Sequence, residues 1–223
     1  MSAVVDNFVA PPCHDKIEIL FHDEDIVLIN KPGGLLSLSG KNPLNKDSVH
    51  YRMVQIFPTV TLAHRLDFGT SGIMLLALNK AVNAHLTRQF QDRTVIKTYM
   101  SLLDGHLDCD QGCIDVPIAK DKQNFPLQRV CYENGKQALS QYEVLERIDN
   151  PVSSRVLFTP STGRTHQLRI HSREIGHSIL GCDLYGTDRT QAMAVRLMLH
   201  AFTLEFDHPV TGERMVGESP CPF

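Results

Sequence analysis

The sequence predicts an α+β fold built on a large mixed, mostly antiparallel sheet flanked by helices and loops. Three observations carry this expectation. Apolar, strand-like runs come in adjacent pairs separated by short polar turns. Helical periodicity is confined to a few segments between those pairs. Strands and helices do not alternate one by one, as a chain of βαβ units would require.

Taken in order, residues 1–16 read as an N-terminal arm containing Pro11-Pro12, and residues 17–223 as a single domain. The runs IEILF and IVLIN flank the polar turn His22-Asp23-Glu24-Asp25, which predicts a hairpin. Ser48 to Phe57 carries Val49, Met53, Ile56 and Phe57 at helical spacing. LAHRLD and IMLLAL read as strands around the turn Gly69-Thr70-Ser71-Gly72. Asn79 is placed to cap a helix with Val82, Leu86 and Phe90 on one face. VIKTYMSLL is β-rich, whereas residues 104–136 read as polar and irregular. ALSQYEVLER and VSSRVLF form a further strand pair. Thr165 is the expected cap of a short helix ending near Gly176, with Leu168, His171 and Ile175 inward. AFTLEF and RMVGE close the chain as a last pair around His208–Gly212.

Composition narrows the class. The chain has 223 residues and 25.0 kDa, 42% hydrophobic and 21% charged, which suits a folded globular protein with a sizeable core. No apolar stretch approaches the roughly 20 residues of a membrane helix. The first residues lack a charged start followed by a long apolar run, so neither a secretory signal nor a membrane partner is expected, and the location read is cytoplasmic. The six cysteines form no C-x-x-C pair, consistent with a reducing compartment. His106, Cys109, Cys113 and Cys131 match no common zinc-finger spacing, so no metal is expected.

The net charge of −3 argues against a polycationic coat, but the charge is unevenly spread. Residues 61–105 hold five Lys and Arg against three Asp and Glu. Residues 151–200 hold six Arg and no Lys against three acids. Arg presents a planar fork of donors suited to phosphates and base edges.

Three segments carry chemistry. In His64-Arg65-Leu66-Asp67-Phe68-Gly69-Thr70-Ser71-Gly72 an Asp precedes a turn of small polar residues. A turn Asp commonly satisfies its own backbone. A serine-hydrolase reading would pair Ser71 with a His, but the G-x-S-x-G elbow is absent. A metal reading through His64 and Asp67 lacks a third ligand. In Lys97-Thr98-Tyr99, alternation puts Lys97, Tyr99 and Ser101 on the more polar face of a strand, where a Tyr can stack on a base. In the run from Gly163 to His171, Arg164 and Arg169 are placed to bind a phosphate or pair with a carboxylate near a helix N-terminus. His166 and His171 are five apart, so they are not the i, i+4 pair of a helical zinc site.

Together, INKPGGLLS, HRLDFGTSG, the KTY strand, GRTHQLRIH, GHSILGCDLYG and RLMLHA resemble the RluA family of RNA pseudouridine synthases, in that family's order and over nearly the whole chain from Ile17. The chain begins almost directly at the catalytic domain, so no S4-like RNA-binding module is expected. The segments VCYENGK and QYEV resemble the short branch that acts on the tRNA anticodon stem-loop, at position thirty-two, and on a 23S rRNA hairpin. Two departures stand out: Ser178 replaces the usual Pro, and Cys182 replaces the Asp that usually follows the Gly, with Asp183 one place later.

The resemblance implies the pseudouridine synthase catalytic fold and the isomerisation of uridine in RNA without a cofactor, by a monomer. It implies catalytic roles for Asp67, Tyr99 and Arg169: Asp67 acts on the nucleoside, Tyr99 stacks on the flipped base, and Arg169 pairs with Asp67. It implies substrate contacts at His64, Arg65, Thr70, Arg164, His166 and Leu199, with Arg65 filling the vacated space or touching a phosphate. Two competitors are a non-catalytic RNA-binding or ribosome-assembly module on the same fold, and a glycosidase using Asp67 that would release free uracil.

Overall fold

The computed structural model describes residues 8–223; the first seven residues of the expected arm lie outside the described residues. In chain order the strands and helices begin with β1 (Glu18–His22), β2 (Ile26–Lys31), α1 (Val49–Val54), β3 (Thr61–Leu62), β4 (Ser71–Ala77) and α2 (Lys80–Asp92). Then come β5 (Ile96–Asp104), β6 (Gln111–Asp115), β7 (Ile118–Lys120), β8 (Gln128–Val130), β9 (Leu139–Asp149) and β10 (Val152–Pro160). The chain closes with α3 (Gln167–Glu174), α4 (Asp188–Ala192), β11 (Leu199–Asp207) and β12 (Arg214–Glu218). The described residues group into two compact units. One comprises 8–97 with 200–222, the other 98–199 with Phe223.

In the first unit, β4 reads SGIMLLA and every one of its residues is buried, the pattern of a strand covered on both faces. It pairs antiparallel with β2, from Ile26↔Ala77 to Lys31↔Gly72, and β2 pairs antiparallel with β1. On its other edge β4 runs parallel to β11 through His200↔Ser71 and Ala201↔Gly72. Gly72 is required here: its φ is +113°, and a Cβ would lie 2.2 Å from the Ala201 carbonyl oxygen. β12 pairs antiparallel with β11. The helices start where local chemistry says they should. Ser48 accepts from the Tyr51 amide, and Asn79 accepts from the Val82 amide at 2.9 Å. Arg93, at φ 61°, ends α2 in the left-handed conformation.

In the second unit, β10 pairs antiparallel with β5 and with β9, and β9 with β6. β7 and β8 form a small separate hairpin. The core gathers Leu103, Val156, Phe158, Leu168, Ile170, Ile179 and Leu197, all buried. The α+β class and the mixed, mostly antiparallel pairing are thus as expected.

Four local expectations change. LAHRLD is a strand only at Leu62, because the following backbone finds other partners. Leu66 bonds through both N–H and C=O to Ser37 Oγ, and the Asp67 carbonyl takes the Thr70 amide. The stretch 104–136 contains β6, β7 and β8, whose pairings the short apolar pieces do not reveal. At α3 the cap is not Thr165. His166 holds that place at φ 57° with no capping side chain, and Gln167 Oε1 folds the turn by accepting from Thr162 Oγ1 and the Arg164 amide. On β5, Ser101 is buried, its hydroxyl donating to the Met198 carbonyl at 2.8 Å, so the polar face does not extend that far.

Candidate active site

Asp67 lies in the loop between β3 and β4, half-buried, and this loop is fixed from beneath. Lys31, fully buried at the end of β2, donates from Nζ to the carbonyls of Leu35 (2.7 Å), Pro32 (2.8 Å) and Phe68 (3.3 Å). The Gly34 amide also donates to Phe68 O, at 2.9 Å. A buried ammonium therefore ties the KPGGL turn to the residue after Asp67. On the same loop, Thr70 is buried and its amide closes the Asp67 turn. Arg65 is exposed.

His64, expected to meet substrate, is committed to packing. Its Nε2 accepts the Leu75 amide at 2.9 Å and its ring stacks on Phe90 at 4.5 Å. Burial first, and the Lys97 charge second, push its pKa down to about 3, so it is neutral with the proton on Nδ1. Lys97 itself is held below the usual lysine range by burial, and further by Arg93.

In the second unit, Arg169 projects from α3 and is only 4% exposed. Its Nη2 is ion-paired with Asp183, and its Nε donates to Cys182 Sγ at 3.3 Å. The departure at Cys182 thus places a sulfur against the guanidinium, and Asp183 supplies the carboxylate. Ser178, the other departure, accepts the Asp104 amide through its carbonyl, a bond that does not depend on its side chain. Arg173, a turn after Arg169, stays largely in solvent beside Glu174. His166 Nδ1 lies 2.7 Å from the Tyr185 hydroxyl. Arg164 Nε donates to the Gln137 carbonyl at 3.0 Å. Tyr99 is half-buried on β5 opposite Phe158, and Leu199 is buried in the core of this unit.

The two cation-rich stretches differ in how their charge is used. Of the six arginines in 151–200, Arg155, Arg169, Arg173 and Arg189 each have a carboxylate partner. Arg65, Lys80, Arg88 and Arg93 are exposed and have no ion pair among the described residues. Among the described residues, one group has metal-like spacing: Asp23, Asp25 and His208. Its atoms are already used. His208 Nδ1 accepts the Thr211 amide, so Nε2 carries the proton given to Asp23 at 3.1 Å, a clasp between two turns.

Residues 25–174 match the family model described as RNA pseudouridylate synthase. The chain belongs to that family. The span matched by the synthase model includes Asp67, Tyr99 and Arg169, whereas Tyr185 and Leu199 lie beyond it. Among curated RNA pseudouridine synthases, the chain is 48% identical over 205 residues to the dual-specificity enzyme RluA of Yersinia pestis, covering 92% of this chain and 99% of that one. It is 43% identical to the enzyme of the same name from Escherichia coli K12, covering 96% and 97%. Among solved structures, human RNA pseudouridylate synthase domain containing 1 superposes with a TM-score of 0.80 at 31% identity, covering 96% of this chain and 86% of that one.

The sequence reading did not single out Lys31, Asp183 or Tyr185 as individual site residues. Each stands inside a motif that carries the resemblance, in INKPGGLLS or GHSILGCDLYG. That position was the available signal.

Proposed function

We propose that this RNA pseudouridine synthase modifies both a tRNA anticodon stem-loop, at position thirty-two, and a 23S rRNA hairpin, acting as a cytoplasmic monomer without a cofactor. The observation that carries this reading is near-full-length identity of 42–48% to several enzymes named as dual-specificity RNA pseudouridine synthases. The reaction breaks the N1–C1′ bond and joins C5 to C1′. The C5 proton is lost to solvent and N1 regains one, so the conversion is redox-neutral and needs no external group donor.

In this reading Asp67 acts on the nucleoside as nucleophile or base, for which carboxylate chemistry at an anomeric carbon is a precedent. The target uridine leaves its stack at a cost of a few kcal/mol. Tyr99 stacks on the flipped base, and Arg65 fills the space it vacates or touches a phosphate. Arg169 pairs with Asp67. A guanidinium has five N–H donors, so pairing with Asp183 does not exhaust it. Arg164, His166, Thr70 and Leu199 shape the substrate's surroundings, with His64 supporting from within the loop. Exposed Arg65, Lys80, Arg88 and Arg93 suit the RNA backbone, where each phosphate contact adds salt dependence.

The test is tritium release from C5-labelled uridine in the two stem-loop RNAs. The wild-type chain releases tritium from both, and Asp67→Asn, with an unchanged circular-dichroism spectrum, releases it from neither. Release by Asp67→Asn at the wild-type rate removes Asp67 as catalyst. Release from one RNA only reduces the proposed substrate range to that RNA. Free uracil among the products supports the glycosidase alternative instead.

A further inference from the structure

We propose that Tyr185 is a positioning residue for the reaction, holding Arg169 through its ring and α3's first turn through its hydroxyl. The inference rests on the reading that Arg169 serves catalysis.

Tyr185 is 5% exposed and lies at the end of GHSILGCDLYG. Its ring is 5.3 Å from the Arg169 Cζ and 5.6 Å from the Arg173 Cζ. A buried guanidinium must have both its edges and its faces covered to offset the loss of water. Asp183 and Cys182 take edge donors of Arg169, and the Tyr185 ring lies against its cation with the attraction expected of a π face.

The hydroxyl does a different job. The Gln128 amide donates to Tyr185 Oη at 2.9 Å. The same hydroxyl hydrogen-bonds with His166 Nδ1 at 2.7 Å. His166 sits at the strained left-handed turn that starts α3, two residues ahead of the leucine before Arg169. Gln128 opens β8, and the β7–β8 segment carries Lys120, Lys122 and Arg129, all exposed and suited to phosphate. One side chain therefore links a cationic hairpin to the helix that carries Arg169.

The two functions separate by substitution. Tyr185→Phe keeps the ring and loses the hydroxyl. Its kcat for tritium release from the anticodon stem-loop stays within about twofold, while KM rises about tenfold, the equivalent of one hydrogen bond. Tyr185→Leu loses both, and kcat falls on the order of 100-fold, the cost of a displaced catalytic group. Arg169→Ala is measured beside them. If Arg169→Ala retains kcat, the catalytic reading of Arg169 fails. If Arg169→Ala loses kcat and folded Tyr185→Leu does not, that reading stands and the positioning role of Tyr185 is overturned. Should Tyr185→Leu not fold, Tyr185→Phe decides alone: an unchanged KM, or a kcat lost along with it, overturns the proposal.

Discussion

Ser71 Oγ lies 2.8 Å from Nδ1 of His200, across the parallel pairing of β4 with β11. His200 Nε2 lies 2.9 Å from the Ser219 carbonyl oxygen, which only accepts. Nε2 therefore holds the ring proton and the Ser71 hydroxyl donates to Nδ1. The fold does supply the Ser–His pair that a hydrolase reading of Ser71 would want, but buries both residues within paired strands. Ser71→Ala should leave a buried imidazole nitrogen short of a donor and cost about 1–3 kcal/mol. Urea denaturation checks the cost. Turnover per folded molecule should persist, and its abolition would count against a purely structural pair.

Lys31 should matter to activity although it is fully buried. Lys31→Met keeps the apolar stem and removes all three Nζ bonds, leaving the Leu35, Pro32 and Phe68 carbonyls to find other donors. A loss of about 1–3 kcal/mol is expected from unsatisfied buried acceptors. Because Phe68 follows Asp67 directly, single-turnover tritium release at saturating RNA should slow while RNA affinity changes little. A variant with normal single-turnover rates would show that the loop holds Asp67 without this ammonium.

The segment just inside the described N-terminus is strapped to the first unit. Asn45 Nδ2 donates to the Phe8 carbonyl at 2.7 Å, and its Oδ1 accepts the Ala10 amide at 2.8 Å. Farther along, Arg52 holds the carbonyls of Cys13 and Asp15 while paired with Asp47. Phe8 meets Phe68 edge-on at 5.4 Å. Asn45→Ala should release residues 8–10 and expose them to limited proteolysis, with the cut located by mass spectrometry. A cleavage pattern identical to wild type would mean that the Arg52 contacts suffice.

His64 should contribute a pH dependence to stability. Its pKa is about 3 in the fold, and the unfolded value lies near 6.5. Between those values the unfolded chain binds a proton that the native ring refuses. The contribution is therefore complete above pH 6.5 and is lost as the pH falls toward 3, at no more than about 1.4 kcal/mol per pH unit. His64→Gln lacks that proton. Its urea midpoints measured from pH 7 to pH 4 should fall less steeply than those of wild type. His171, also held down chiefly by burial, keeps its share in both proteins. Parallel slopes would show that His64 opens to solvent before it is protonated.

The arginine block of 151–200 shows how position in the chain can mislead about surface charge. Read along the chain, it is six arginines against three acids. In the fold four of its six cations are neutralised by carboxylates, and Arg169 is inside. Exposed cations without an ion pair among the described residues include Arg65, Lys80, Arg88 and Arg93 of 61–105 and Lys120, Lys122 and Arg129 of the β7–β8 segment. Salt dependence of RNA binding should accordingly weaken more on substituting Arg65, Arg88 and Arg93 together than on substituting Arg155, Arg173 and Arg189 together; filter binding across a salt series measures both slopes.

What the sequence by itself determined is what short-range chemistry controls. The hairpin of β1 and β2 follows from apolar runs around a polar turn, and α2 follows from Asn79 and an apolar face at Val82 and Leu86. The pairing of β9 with β10 likewise needs only neighbouring runs, and the ordered motifs were enough to read the family. Only the tertiary structure decided which partners distant residues find. The Asp183 carboxylate on Arg169, the Phe68 carbonyl on Lys31 and the Tyr185 hydroxyl on His166 join residues 14 to 37 positions apart. Burial then fixes their consequences, since removing water turns a surface-type Lys or His into a committed structural donor or acceptor. No local pattern encodes that commitment: Lys31 reads along the chain as an ordinary cation and Arg169 as one placed for a phosphate or a carboxylate, and both become buried anchors only where the fold closes over them.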